Sequence, residues 1–135
     1  MAESCSFCKI VRNEIPRSCV YEDKEVMAIM DMRPINEGHI LVIPKKHYEN
    51  IYDIPEREVA ALFKIVKKIA HAVKKGVNAE GVTIVQNNGK AAGQVVFHLH
   101  VHIIPRYEGQ EVPPRREIIE TYKLDQVAKK IRQFI

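Results

Sequence analysis

The segment Phe97-His98-Leu99-His100-Val101-His102-Ile103-Ile104 sets a histidine at every second position of a run of large apolar residues. Period-two alternation belongs to an extended strand, whose successive side chains point to opposite faces. The pattern predicts a strand with His98, His100 and His102 in a row on one face and Phe97, Leu99, Val101 and Ile103 turned to a core. Strand rise then spaces neighbouring histidines by about 6.6 Å and the outer two by about 13 Å. Side chains stand nearly perpendicular to a sheet, so all three do not converge on one ion, although two could with ligands from elsewhere.

Three chemistries fit such a row. A merely polar sheet face is the plainest, but histidine has no strand advantage over Thr or Val that would explain three in strict alternation. A metal site built on His-x-His is the second. The third is nucleophilic catalysis: a neutral imidazole whose one nitrogen donates to a backbone carbonyl directs the lone pair of the other outward, where it can attack phosphorus. A second imidazole one repeat away can then hydrogen-bond a phosphoryl oxygen or the leaving group, and phosphoryl transfer asks mainly for positioning and charge stabilisation.

The remainder of the chain narrows the setting. At 135 residues, with 46% hydrophobic and 28% charged residues, it suits one globular domain spanning residues 1–135. There is no apolar run long enough to cross a bilayer and no leader-like opening, so a cytoplasmic protein without membrane contact is expected. The net charge of +4 is carried largely by lysines off the apolar stripes of helices, with no aromatic-interleaved basic stripe, so nucleic acid is not an expected partner. Three cysteines without a secretion signal argue against a disulfide framework. Cys5 and Cys8 form Cys-x-x-Cys, which suits a redox couple, half of a metal site or two reduced thiols, and Cys19 reads as a small apolar residue.

Periodicity predicts a short helix over 6–13 ended by Ile15-Pro16, strands over 19–22, 26–30, 39–43 and 82–86, and the histidine strand ending at Pro105. A long amphipathic helix is expected over 55–75, with Asp53 and Glu56 as a capping box and Gly76 just past its end. A C-terminal helix is expected over 124–134. Consecutive strands with short connections pair antiparallel, and the long helix covers one sheet face. The fold class is therefore α+β, an antiparallel sheet of about five strands with one long helix and short terminal helices.

Directly before the histidine strand stands Gly89-Lys90-Ala91-Ala92-Gly93-Gln94, a tight loop whose backbone N–H groups can cradle an anion. It is not a P-loop, because Lys90 follows the first glycine rather than the last.

His98-Leu99-His100-Val101-His102-Ile103-Ile104 resembles the His-φ-His-φ-His-φ-φ signature of the histidine-triad (HIT) superfamily of nucleotidyl hydrolases and transferases, where φ is apolar. The resemblance extends over residues 5–107 through Cys-Ser-Phe-Cys-Lys-Ile-Val at 5–11, Asp31-Met32-Arg33-Pro34, Gly38-His39-Ile40-Leu41-Val42-Ile43-Pro44-Lys45-Lys46-His47 and Gly93-Gln94. It is most similar to the Hint-like branch and its microbial relatives. The resemblance implies a homodimer that acts on purine nucleotides, AMP or GMP conjugates such as phosphoramidates, through a nucleotidyl-histidine intermediate. By position, His100 matches the nucleophile, His102 the residue at the phosphate or leaving group, and His39 a supporting histidine. Asn87, Gly93 and Gln94 match phosphate-loop positions, Asp31 the acceptor for the ribose hydroxyls, and Phe7, Ile10, Ile29 and Met32 the apolar base pocket. Hint-type members commonly carry a hydroxyl residue after the loop glutamine, where this chain has Val95.

Some microbial relatives bind zinc at positions matching Cys5, Cys8, His47 and His98, and two cysteines with two histidines give a closed, structural site. No organic cofactor is expected. The readings kept beside a phosphoramidase or nucleotidyl hydrolase are a dinucleoside polyphosphate hydrolase, a nucleotide-binding regulatory module with weak activity, and a metal-dependent hydrolase.

Overall fold

A computed structural model describes residues 4–111 and 117–135. Helix α1 (Ser6–Val11) precedes strands β1 (Cys19–Glu22), β2 (Val26–Met30) and β3 (Ile40–Pro44). Helix α2 (Glu56–Gly76), β4 (Gly81–Val85), a 3₁₀ turn (Lys90–Ala92), β5 (Val101–Arg106) and α3 (Thr121–Arg132) follow. The five strands form one antiparallel sheet in the order β1-β2-β3-β5-β4, the expected α+β architecture.

Alternation along the strands divides the core in two. Val26, Ala28, Met30, Ile40, Val42, Val101 and Ile103 meet the apolar stripes of α2 and α3 on one face. Met27, Ile29, Leu41 and Ile43 pack on the opposite face against α1 through Phe7, Cys8 and Ile10. Helices on both sides bury every residue of β2 and β3, which is why these strands read as continuous apolar runs. In β5 the registers Ile29↔Leu41 and Leu41↔His102 send His102 to the α1 side, away from α2. The small helix α1 thus covers the histidine face.

Several sequence expectations are corrected. Only Val101–Arg106 of the histidine segment is strand; residues 97–100 enter it as irregular chain, tied by Leu99 N–H to Tyr48 O at 2.7 Å. Leu99, Val101 and Ile103 are buried as expected, but Phe97 is 40% exposed because it precedes the strand and has no core above it. Helix α1 ends at Val11, earlier than Pro16 demands, because Asn13 takes a left-handed φ of 63° and Glu14 N–H closes onto Lys9 O. The capping box is not made: Pro55 is the N-cap, and the Asp53 carboxylate accepts from the Glu49 and Asn50 amides instead. Gly76 is the last residue of α2, and the left-handed residue beyond it is Asn78. A Cβ on Gly76 would lie 2.8 Å from Ile131 Cα, so this glycine lets α3 cross closely. Helix α3 begins at Thr121, three residues earlier than expected.

Candidate active site and metal centre

The cleft lies between α1, the histidine face of the sheet and the loop before β5. It holds about 630 Å³ and is walled by Phe7 and Ile10 of α1, Ile29 of β2 and Leu41 of β3, with His100 and His102 at its floor. Asp31, Met32, Asn87 and Gly93 also line it. The apolar wall follows from register, since Ile29, Leu41 and His102 are cross-strand neighbours on one face.

The chain's own backbone sets the two imidazoles to opposite tasks. His100 Nδ1 lies 2.8 Å from His98 O, and a carbonyl can only accept, so Nδ1 carries the proton and the neutral ring keeps its lone pair on Nε2. The amide of Ile35 donates to His39 Nδ1 at 3.0 Å, which leaves the proton of His39 on Nε2. That Nε2–H faces His102 Nδ1 at 3.0 Å and Asp31 Oδ2 at 3.4 Å. His102 Nδ1 therefore accepts, and its proton resides on Nε2. A lone pair on His100 and an N–H on His102 stand side by side, with ring centroids 5.0 Å apart. Phe7 packs edge-on against His100 at 5.1 Å and restrains the ring.

Asp31 Oδ1 accepts from the Arg33 amide, which holds the carboxylate at the cleft wall. Gln94 is placed differently from Gly93. Its buried side chain braces the loop, donating from Nε2 to Glu49 O and Val96 O and accepting at Oε1 from the Gly89 amide and Asn50 Nδ2. Its side chain therefore does not line the cleft. Gly93 has φ 91°, a conformation that favours glycine, and Val95 is 85% exposed at the rim.

The second cluster joins the far end of the histidine row to α1. Cys5 Sγ, Cys8 Sγ and ring nitrogens of His47 and His98 all lie within 4.8 Å of one another. His98 is buried, and its Nε2–H donates to Pro44 O at 2.8 Å, which turns the Nδ1 lone pair toward the two sulfurs at 3.3 and 3.5 Å. His47 Nδ1 approaches Cys8 Sγ at 3.3 Å. Tetrahedral zinc with ordinary bond lengths needs ligand atoms about 3.3–3.8 Å apart, so these contacts suit a shared cation. Burial, then the hydrogen bond and charge of Cys5, push the Cys8 thiol up to about 11, and a cation is what would let both sulfurs ionise. Burial likewise depresses His98 to about 4, keeping it neutral as a ligand must be.

Asp31, His39 and His102 form a further group of possible ligands. The Ile35 amide occupies His39 Nδ1 and the Nε2 proton faces the other two members, so this group is arranged as a hydrogen-bond relay.

The family model for the HIT domain matches residues 12–109. This chain belongs to the HIT family. An uncharacterized HIT-like protein of Methanocaldococcus jannaschii is 47% identical over 128 residues, covering 95% of this chain and 98% of its own. An adenosine 5′-monophosphoramidase of Candida albicans is 35% identical, over 96% of this chain and 90% of its own. An adenylylsulfatase of Arabidopsis thaliana is 44% identical, over 80% of this chain and 55% of its own. Among solved structures, a Hit-like protein from Bartonella henselae superposes with a TM-score of 0.94 at 47% identity, covering 98% of this HIT protein and 97% of that chain. A zinc-bound histidine-triad protein from Mycobacterium smegmatis gives 0.88 at 37% identity, covering 98% and 94%.

Sequence reading of this HIT protein missed Asn36, Gln110 and the Ile35 amide, which meet the site only through the fold. Leu41 was accessible in principle, because strand alternation puts it on the face of Ile29 and His102.

Proposed function

We propose that this HIT protein hydrolyses or transfers nucleotidyl groups at the α-phosphate of purine nucleoside phosphoramidates or related adenylated compounds. The observation that carries the reading is the set of hydrogen-bond partners, His98 O on His100 Nδ1 and Ile35 N–H on His39 Nδ1 with His39 Nε2 on His102 Nδ1, which favours opposed tautomers of His100 and His102. His100 Nε2 attacks phosphorus, and the bond to the leaving group breaks with its electron pair on the departing atom. His102 Nε2–H supplies the proton. His102, now bearing that lone pair, takes a proton from water as the water oxygen attacks phosphorus, and the P–N bond breaks with its electron pair returning to His100. Asp31 accepts from the ribose hydroxyls, Phe7, Ile10, Ile29 and Met32 flank the base, and Asn87, Gly93 and the backbone at Gln94 surround the phosphate. The phosphoramidase and adenylylsulfatase names of two relatives favour this substrate class. Incubation with adenosine 5′-phosphoramidate is expected to release AMP faster than diadenosine polyphosphates do. Faster cleavage of the dinucleotides would establish the polyphosphate hydrolase instead, and tight AMP binding without turnover a regulatory module.

Val95 leaves the loop without a hydroxyl at the rim. Val95→Ser is expected to raise kcat about two- to twelvefold, the equivalent of one hydrogen bond of about 0.5–1.5 kcal/mol, in the same assay.

Zinc is proposed for Cys5, Cys8, His47 and His98, where it would cross-link α1 to the segment around His98. A homodimer is proposed through β4, the sheet edge, together with α2. Phe63, Val66, Ala70, Val82 and Ile84 form an apolar groove there, and Ile84 is 47% exposed. A second copy would cover both the groove and the unpaired strand edge. Light scattering should give twice the chain mass for the parent and a dissociating protein for Ile84→Lys, weakened by about 2 kcal/mol or more.

A further inference from the structure

The loop between β2 and β3 is stapled to the strand that carries His102. Asn36 is only 3% exposed, and its Nδ2 donates to Pro105 O of β5 at 2.8 Å and to Gln110 Oε1 at 2.9 Å. Gln110 Nε2 returns a hydrogen bond to Asn36 Oδ1 at 3.3 Å. The backbone of Asn36 accepts from the His39 amide at 3.1 Å, across a turn in which Gly38 has φ 98°. A side chain at Gly38 would come within 2.9 Å of Val77, so the turn is closed to most residues. The neighbouring amide, Ile35 N–H, is the one that selects the His39 tautomer.

We infer that Asn36 and Gln110 are positioning residues for catalysis: by clamping this loop to β5 they hold the Ile35 amide on His39 Nδ1 and so keep the N–H of His102 facing the cleft. Without the Ile35 amide, only the Asp31 carboxylate at 3.4 Å still favours the proton on His39 Nε2, and the tautomer with the proton on Nδ1 becomes accessible. With the proton on Nδ1, His39 Nε2 would present a lone pair to His102 Nδ1, and His102 would have to move its own proton to Nδ1 to meet it. His102 would then offer the cleft a lone pair where a departing amine or alcohol needs a proton. Attack by His100 does not depend on this relay, because its tautomer is set by His98 O.

The inference rests on the proposed nucleotidyl chemistry, and the consequence is selective. Leaving groups that must be protonated suffer, and those that depart as stable anions do not. Asn36→Ala is expected to lower kcat by about tenfold or more for an alkylamine phosphoramidate of AMP, and by less than about twofold for the p-nitrophenyl ester, with KM little changed. Gln110→Ala, at an exposed position, is expected to keep the fold and to do the same more weakly. Side-chain NMR of histidine nitrogens gives a readout independent of activity: His39 is expected as a single Nε2–H tautomer in the parent and as a mixture in Asn36→Ala. Equal losses on both substrates, or an unchanged His39 tautomer in both variants, would overturn the inference. A parent protein that turns over neither substrate would instead refute the nucleotidyl chemistry, and the NMR comparison then decides the relay alone.

Discussion

His100→Ala should abolish turnover of adenosine 5′-phosphoramidate, with a loss in kcat of about 10⁴-fold or more, the scale seen when a nucleophile is deleted from a group that acts as a unit. The parent, quenched during turnover and measured by mass spectrometry, should carry one nucleotidyl group per chain on His100, and His100→Ala none. The size of the effect follows from the way the fold prepares this ring. His98 O holds Nδ1–H, Phe7 braces the ring edge, and the remaining lone pair faces the cleft. Alanine leaves the cleft walls in place, so AMP should still bind with an affinity within a few-fold of the parent. His102→Ala should differ in kind, slowing the release of amine and alcohol leaving groups much more than that of p-nitrophenolate in a single-turnover measurement. Undiminished turnover in His100→Ala would refute the covalent mechanism.

Removing the metal should be the largest stability effect. Metal analysis of freshly purified protein is expected to give one zinc per chain, and less than about 0.2 with normal folding would sink the assignment. Chelation, or Cys8→Ala, should lower stability by about 3 kcal/mol or more, read as a fall in Tm, because the metal would cross-link α1 to the segment around His98, leaving only the apolar packing of Phe7, Cys8 and Ile10 to hold this short helix on the sheet. Activity should decline with it, since Phe7 and Ile10 wall the cleft and sit on the same short helix. In the metal-free protein the acid side carries a separate signature. The unfolded chain protonates His98 near 6.5, but burial lowers the folded value to about 4. Between these values the unfolded state binds more protons, so stability is intact above pH 6.5 and falls as the pH drops toward 4. The loss reaches roughly 3 kcal/mol. His98→Gln should flatten that part of a denaturation profile measured against pH.

The alternation of 97–104 was legible because a period of two is a property of the chain itself, and it placed Leu99, Val101 and Ile103 in the core and His102 opposite them. The fully apolar runs of β2 and β3 and the stripe of α2 were equally readable. Element ends were not, because they depend on partners. Asp53 found backbone amides in the preceding turn rather than at the start of α2, and Gly76 serves the crossing of α3 rather than a helix cap.

The same division runs through the candidate site. Residue type and spacing marked Cys5, Cys8 and the three alternating histidines, and the resemblance to the HIT family added His39 and His47. The resemblance already implied their division into two groups, but how each ring is turned to its group is a tertiary fact. His98 turns to the sulfurs because Pro44 O takes its other nitrogen, whereas His100 and His102 turn to the cleft, and a strand pattern cannot encode which carbonyl or amide meets which ring. Gln94 makes the same point from the opposite side: its match to a phosphate-loop position implied a phosphate contact, and the fold spends its side chain on bracing the loop. Sequence by itself determined the two faces of the sheet and the inventory of reactive groups, because these follow from side-chain periodicity and chemistry. The tertiary structure decided tautomers, partners and roles, because those depend on single hydrogen bonds between residues as distant along the chain as Ile35, His39 and His102.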